Sequence, residues 1–219
     1  MKSSFVRAVT STVSVTLLAA CGGFTGTPGT APLTGPSGGR VLVPAGYGTL
    51  AQDEFTLTLQ SGPLQVKVTP LAESVIRLAA PDTYERLAGI AGSARTSLLS
   101  ASTPDASLFL VSFFSREPTV RYEPESLQIV NGGLRYRPTA IHAVTPGWGG
   151  QRLRQEETQI AVYAFDRVID LELTLAVEYE GARDTSWEGI LNRLELERAR
   201  VRGRVVGGAI SPDPSETPH

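Results

Sequence analysis

Ile169-Asp-Leu-Glu-Leu-Thr-Leu-Ala-Val-Glu-Tyr179 is the stretch on which the fold turns. Ile169, Leu171, Leu173, Leu175, Val177 and Tyr179 share one side of a two-residue period, with Asp170, Glu172, Thr174 and Glu178 on the other. Alternation places successive side chains on opposite faces of a strand, so the stretch reads as one long strand, buried on one side and wet on the other. The same period recurs upstream. Phe55, Leu57 and Leu59 alternate, as do Leu64, Val66 and Val68, and Ser61-Gly62-Pro63 makes the turn between them. Leu108 to Phe114 is nearly continuous in apolar residues and suits a central strand, although period alone does not separate that from a buried helix. Leu127/Ile129 and Leu134/Tyr136 flank Asn131-Gly132-Gly133, which reads as a three-residue hairpin loop. With Ala140–Val144 and Ile160–Phe165 the count reaches about eight strands.

Two segments leave this pattern. Asp82-Thr-Tyr-Glu85 reads as a capping box opening a helix with Tyr84, Leu87, Ala91, Ala94 and Leu98 at helical spacing. Thr185-x-x-Glu188 reads as a second box, followed by Trp187, Ile190, Leu191 and Leu194 on one stripe. Beyond it Arg198, Arg200, Arg202 and Arg204 alternate with Ala199, Val201, Gly203 and Val205. A helix to about residue 197 and then a strand fits that pattern best, with one continuous helix through 198–206 as the alternative. The expected fold is therefore mainly β. It resembles an antiparallel immunoglobulin-like sandwich with one or two short inserted helices, a likeness of architecture that implies no activity.

Composition removes several function classes. Lys and Arg number 20 against 22 Asp and Glu, so no basic excess points to nucleic acid. A single cysteine forbids an internal disulfide and a cysteine-only zinc site. That cysteine is explained by what precedes it. Lys2 and Arg7 without an acid, the apolar run Val13 to Ala20, and then Leu18-Ala19-Ala20-Cys21 form a secretory leader ending in a small-residue break. The run is short of the roughly 20 apolar residues of a spanning helix. Leu18-Ala19-Ala20-Cys21 resembles the lipobox of bacterial lipoproteins. That resemblance covers residues 1–22, and it implies removal of residues 1–20, acylation of Cys21 and a membrane anchor made of lipid. Gly22 after the cysteine resembles lipoproteins sent to the outer rather than the inner membrane, where a cell has two. Residues 21–44, mostly Gly, Thr, Pro and Ser after the cysteine, read as a tether; 45–206 as one domain; and 207–219, with three prolines, as a loose tail.

Within the domain few residues promise chemistry. His142 is its only histidine, and no Gly-x-Ser-x-Gly elbow accompanies it. Alternation in Thr139-Ala-Ile-His-Ala-Val144 turns it away from Ile141 and Ala143, toward solvent. Glu123/Glu125, Glu156/Glu157 and Glu195/Glu197 could in principle form a glycosidase pair, but polar surroundings mark them as solvated acids. No calcium loop, His-x-x-x-His pair or nucleotide fingerprint is present, so no catalytic residue, metal ligand or cofactor is assigned. The C-terminal arginines would make a basic stripe in a strand, and would spread round a helix and pair with Glu195 and Glu197. Pro146-Gly147-Trp148-Gly149-Gly150 is the loop that stands out. A tryptophan between glycines either swings out to a ligand or lids the core. With Arg152 and Arg154 beside it, Trp148 is the candidate partner contact, on a loop expected to project from the sandwich end. The sequence thus describes a non-enzymatic, membrane-anchored envelope protein that binds or spaces a protein or polysaccharide partner. The alternatives are a small surface hydrolase using a carboxylate pair, and a carrier of a lipid or anionic ligand.

Overall fold

The first alternating pair forms a hairpin, β1 (Leu57–Ser61) against β2 (Leu64–Pro70), turned by Gly62 at φ +55°. Leu57 and Leu59 are buried while Thr58 and Gln60 are exposed, the half-buried signature of an outer strand. This is a computed structural model, and it describes residues 42–98 and 105–208. Within them the chain is mainly antiparallel β, with eleven strands in three sheets. The apolar run becomes β3 (Ser107–Ser115), the middle strand of a five-stranded sheet. The two-residue ribbon β4 (Val120–Arg121) follows, and then the hairpin β5 (Gln128–Asn131) and β6 (Leu134–Tyr136). β7 (Ala140–Ala143), β8 (Arg152–Leu153), β9 (Glu157–Phe165), β10 (Leu175–Tyr179) and β11 (Ala182–Asp184) complete the set. The large sheet runs β1-β2-β3-β9-β7, the second β11-β10-β5-β6, and the ribbon pairs β4 with β8. Phe113 of β3 and Tyr179 of β10 meet edge-on at 5.3 Å, which joins the two larger sheets in one core.

The stretch that reads as one long strand is only half a strand. Leu175–Tyr179 pairs with β5 and β11, but 169–174 is a loop. Asn131 fixes it: its side-chain amide donates to the carbonyls of Asp170 and Thr174, and its side-chain oxygen accepts from the Asp170 amide. Asp170 in turn accepts from the Glu172 amide, a local side-chain bond that competes with a ladder. Leu173 is left exposed as a result. The β5–β6 loop is two residues rather than three, because Asn131 pairs directly with Leu134 and Gly132 and Gly133 both take positive φ.

Three helices, α1 (Glu73–Ile76), α2 (Pro81–Leu98) and α3 (Trp187–Gly208), cover the sheets. α2 starts at Pro81, so Asp82 lies in its first turn and not at its cap; Thr185 likewise precedes α3. α3 is continuous, and the expected strand after 197 is absent. The physical reason is a second periodicity: Trp187, Ile190, Leu194, Glu197 and Val201 recur three and four apart and are all buried. The basic stripe of Arg198, Arg200, Arg202 and Arg204 is accordingly dispersed around a helix.

Candidate functional site

The residues singled out by sequence, Trp148, Arg152 and Arg154, converge on the β4–β8 ribbon. Trp148 does not project. It is 8% exposed and packs on Phe113, Tyr122 and Tyr163 at ring distances of 5.8, 5.3 and 6.1 Å, so the loop is a lid on the core. The glycines explain why it turns inward. A Cβ on Gly147 would stand 2.4 Å from Gln159 Nε2, and the Trp148 amide donates to Thr145 O, which pulls the loop onto β9.

The ribbon stands on this aromatic layer. Tyr122, next after β4, stacks on Phe113 at 4.7 Å, and its hydroxyl donates to Trp148 O at 3.2 Å. Its amide donates to Gln151 O, which ties the two short strands together. Burial and then the Glu157 charge push the Tyr122 phenol up to about 12, so it remains a neutral donor at physiological pH. Burial raises Tyr163 and Tyr179 as well, the latter to about 12, and the Tyr179 hydroxyl accepts from the Glu123 amide.

Alternation on this buried support decides what faces out. Leu153 and Tyr122 are buried, so Arg152 and Arg121 are exposed, and the two are register partners across the ribbon. Directly opposed like charges oppose strand pairing. Neither guanidinium has a protein partner among the described residues. Backbone strain gathers at the same place. Thr119, just before β4, has φ +62°, Gln151, just before β8, has +46°, and Glu156, just before β9, has +57°. Such residues cost about 1–3 kcal/mol each and persist where the surroundings enforce them. Two adjacent guanidiniums on a rigid base can take a carboxylate or phosphate in paired N–H···O bonds. Arg154 is exposed, and its backbone amide donates to Glu157 Oε2 at 2.7 Å. That bond, with help from Gln159 and the Arg154 charge and against burial, holds the Glu157 carboxyl below its usual range.

The other candidates separate. His142 is half-buried in β7 and lines a groove of about 430 Å³ with Glu85, Arg86, Gly89, Ile90 and Ser93 of α2. Glu123 and Glu125 are exposed, and so is Glu156. Glu197 overturns the reading of its pair as solvated: it is fully buried, and its Oε1 accepts from the Thr49 amide and hydroxyl and from Arg204 at 3.1 Å. Its Oε2 has no hydrogen-bond partner, with Arg200 at 3.6 Å. Arg198 is 5% exposed, paired with Glu195 and Glu172 and donating to Ser74 O. Arg198, Arg200 and Arg204 of the expected stripe are thus engaged in pairs within the fold. Among the described residues no group of three His, Cys, Asp or Glu could hold a metal, and no helix is long and apolar enough to cross a membrane. Cys21 lies outside the described residues.

No family model, curated protein or solved structure matches this chain. Arg121 was missed by sequence reasoning because its partner Arg152 lies beyond three intervening strands, β5, β6 and β7. Glu197 was legible in principle, since on a helix it falls in the apolar stripe between Leu194 and Val201.

Proposed function

We propose that this chain is a lipid-anchored envelope protein without catalytic activity of its own. Cys21 carries the anchor, residues 22–44 hold the β domain off the membrane, and Gly22 directs it to the outer one where two exist. The two larger sheets act as the layers of an immunoglobulin-like sandwich whose rigid end presents Arg121 and Arg152 to a protein or polysaccharide bearing acidic groups. The observation that carries the binding reading is that pair: two exposed guanidiniums opposed across a ribbon, without protein partners, on a closed aromatic base. Trp148 supports the site from beneath, and Arg154 borders it.

The test has two arms. Cys21→Ser should abolish partition into detergent and release the chain from membranes under carbonate. Retention of the chain on immobilised alginate and polyglutamate at low salt should be lost in Arg121→Glu/Arg152→Glu and fall as salt rises. Equal retention of wild type and double variant refutes the ribbon as the binding site. Membrane association that survives Cys21→Ser refutes the lipid anchor.

A further inference from the structure

The two edges of the five-stranded sheet are treated differently. At the β1 edge the Thr58 amide donates to Asp184 Oδ2 at 2.7 Å, so that edge is occupied by the second sheet. At the other edge stands β7, paired among the described residues with β9 alone. Val144, continuing the β7 register, donates its amide to Ile160 O at 2.9 Å, so by the alternation of an antiparallel ladder His142 bonds to Val162. The backbone groups of Ile141 and Ala143 therefore point away from β9. Natural sheets blunt such an edge by keeping it short, with lysine, proline or an inward charge, or with a bulge. β7 is a short Ala-Ile-His-Ala strand whose ends turn onto β9, since Thr139 donates to Ala164 O and both Val144 and Thr145 donate to Ile160 O. Between those ends it carries no lysine, proline or acid, and Ile141 and Ala143 keep their outward groups.

We infer that the β7 edge binds a second copy of this chain, antiparallel, with the two-fold axis passing at His142. Three observations select a second copy over a foreign strand. The segment Thr139-Ala-Ile-His-Ala-Val-Thr145 is near-symmetric about His142, so each small or apolar residue meets one of its own kind in that register. The outward groups of Ile141 then face those of Ala143 in the other copy, which gives four backbone hydrogen bonds. The groove between α2 and β7 also contains one acid, Glu85, and one base, Arg86, whose Nη2 donates to Gln52 Oε1. A groove holding one charge of each sign suits a neighbour that carries both, as a second copy does, whereas a peptide of one sign would meet repulsion from one of them. Val144, 41% exposed, gains cover on the same face. The association goes beyond the arginine ribbon and does not depend on it.

With few bonds the dimer is weak, so trapping reads it better than elution volume. In full-length chain carrying Cys21→Ser, which removes the only native thiol, single cysteines are placed at 140, 142 and 144. Opposed residues of a non-hydrogen-bonded pair lie about 4.5 Å apart at Cα, inside disulfide reach. His142→Cys should cross-link to a dimer under mild oxidation. Ala140→Cys and Val144→Cys should cross-link when mixed and not when alone, because 140 sits opposite 144 of the other copy. Ala143→Pro removes an outward amide and leaves the bonds to β9; in the His142→Cys background it should abolish the cross-link while melting stays unchanged. Failure of His142→Cys to cross-link while still folded overturns the proposal. So does self-cross-linking of Ala140→Cys as fast as that of His142→Cys, which shows random collision or another register.

Discussion

Trp148→Ala asks whether the ribbon has a rigid base. Trp148 is 8% exposed and contacts three aromatic rings at 5.3–6.1 Å. Its truncation removes the transfer energy of the indole and leaves a cavity that Tyr122 and Phe113 can fill only in part, because they are stacked on each other. Large aromatic truncations of this kind cost about 3–5 kcal/mol. The bond from the Tyr122 hydroxyl goes to the backbone carbonyl of residue 148 and survives the change, so no buried donor is orphaned and the upper end of that range is not reached. About 3–4 kcal/mol is expected. With a urea slope of about 2 kcal/mol per molar, the unfolding midpoint should fall by about 1.5–2 M at unchanged slope. Arg152→Ala, at an exposed position in the same loop region, should move the midpoint by no more than about 0.25 M. A Trp148→Ala shift as small as that of Arg152→Ala would refute the lid, and with it the claim that the arginine pair is held on a fixed platform.

Gly48→Ala should be among the most damaging single changes, because its Cβ would stand 2.1 Å from Leu78 O where the chain runs beside 78–79; loss of soluble, folded chain on expression checks it. Glu197→Ala should cost about 2 kcal/mol in a urea melt, since it removes a fully buried acceptor shared by the Thr49 amide, the Thr49 hydroxyl and Arg204. Alkali should unfold the domain for a stated reason. The Tyr122 and Tyr179 phenols are raised to about 12 in the fold against 10 in the unfolded chain, so the folded form holds more protons between those values and loses stability as pH rises through that window. Tyr122→Phe should flatten part of that loss in melts taken from pH 9 to 12. Acid acts oppositely: bonds from Arg135 lower the Glu178 carboxyl, so its contribution is present above the ordinary carboxylate range and lost as pH falls below it. The melting temperature of Arg135→Ala should fall less steeply than that of wild type between pH 5 and 3.

What the sequence discloses here depends on how local the cause is. The β1–β2 hairpin and the central β3 were legible because period, turn glycine and apolar content agree within about twenty residues. The alternation at 169–179 misled over its first half because Asn131, some forty positions upstream, captures the backbone of Asp170 and Thr174 with three bonds that no local pattern announces. At 198–205 two periods coexist. The arginines alternate by twos, but Trp187, Ile190, Leu194 and Val201 keep a spacing of three and four, and burial follows the apolar set. Had the stripe been extended through residue 197, it would have exposed a carboxylate in a core position and pointed to Glu197 at once.

The candidate site was half legible for a related reason. Tryptophan, glycines and arginines drew attention to this loop but did not give the direction of the tryptophan, which the contacts to Phe113, Tyr122 and Tyr163 decide. The feature on which the proposed binding surface rests is unfavourable in the chain alone. Opposed Arg121 and Arg152, with Thr119, Gln151 and Glu156 held at positive φ around them, all raise the energy of the isolated fold. Their cost is carried by the aromatic layer below, which would be as stable beneath a ribbon of threonines. A stable platform that supports a local penalty is what a binding surface requires, since an anion placed between the guanidiniums removes the repulsion that the unbound chain retains. The same logic separates this ribbon from Arg198, Arg200 and Arg204 of α3, whose charges are already met by Glu172, Glu195 and Glu197.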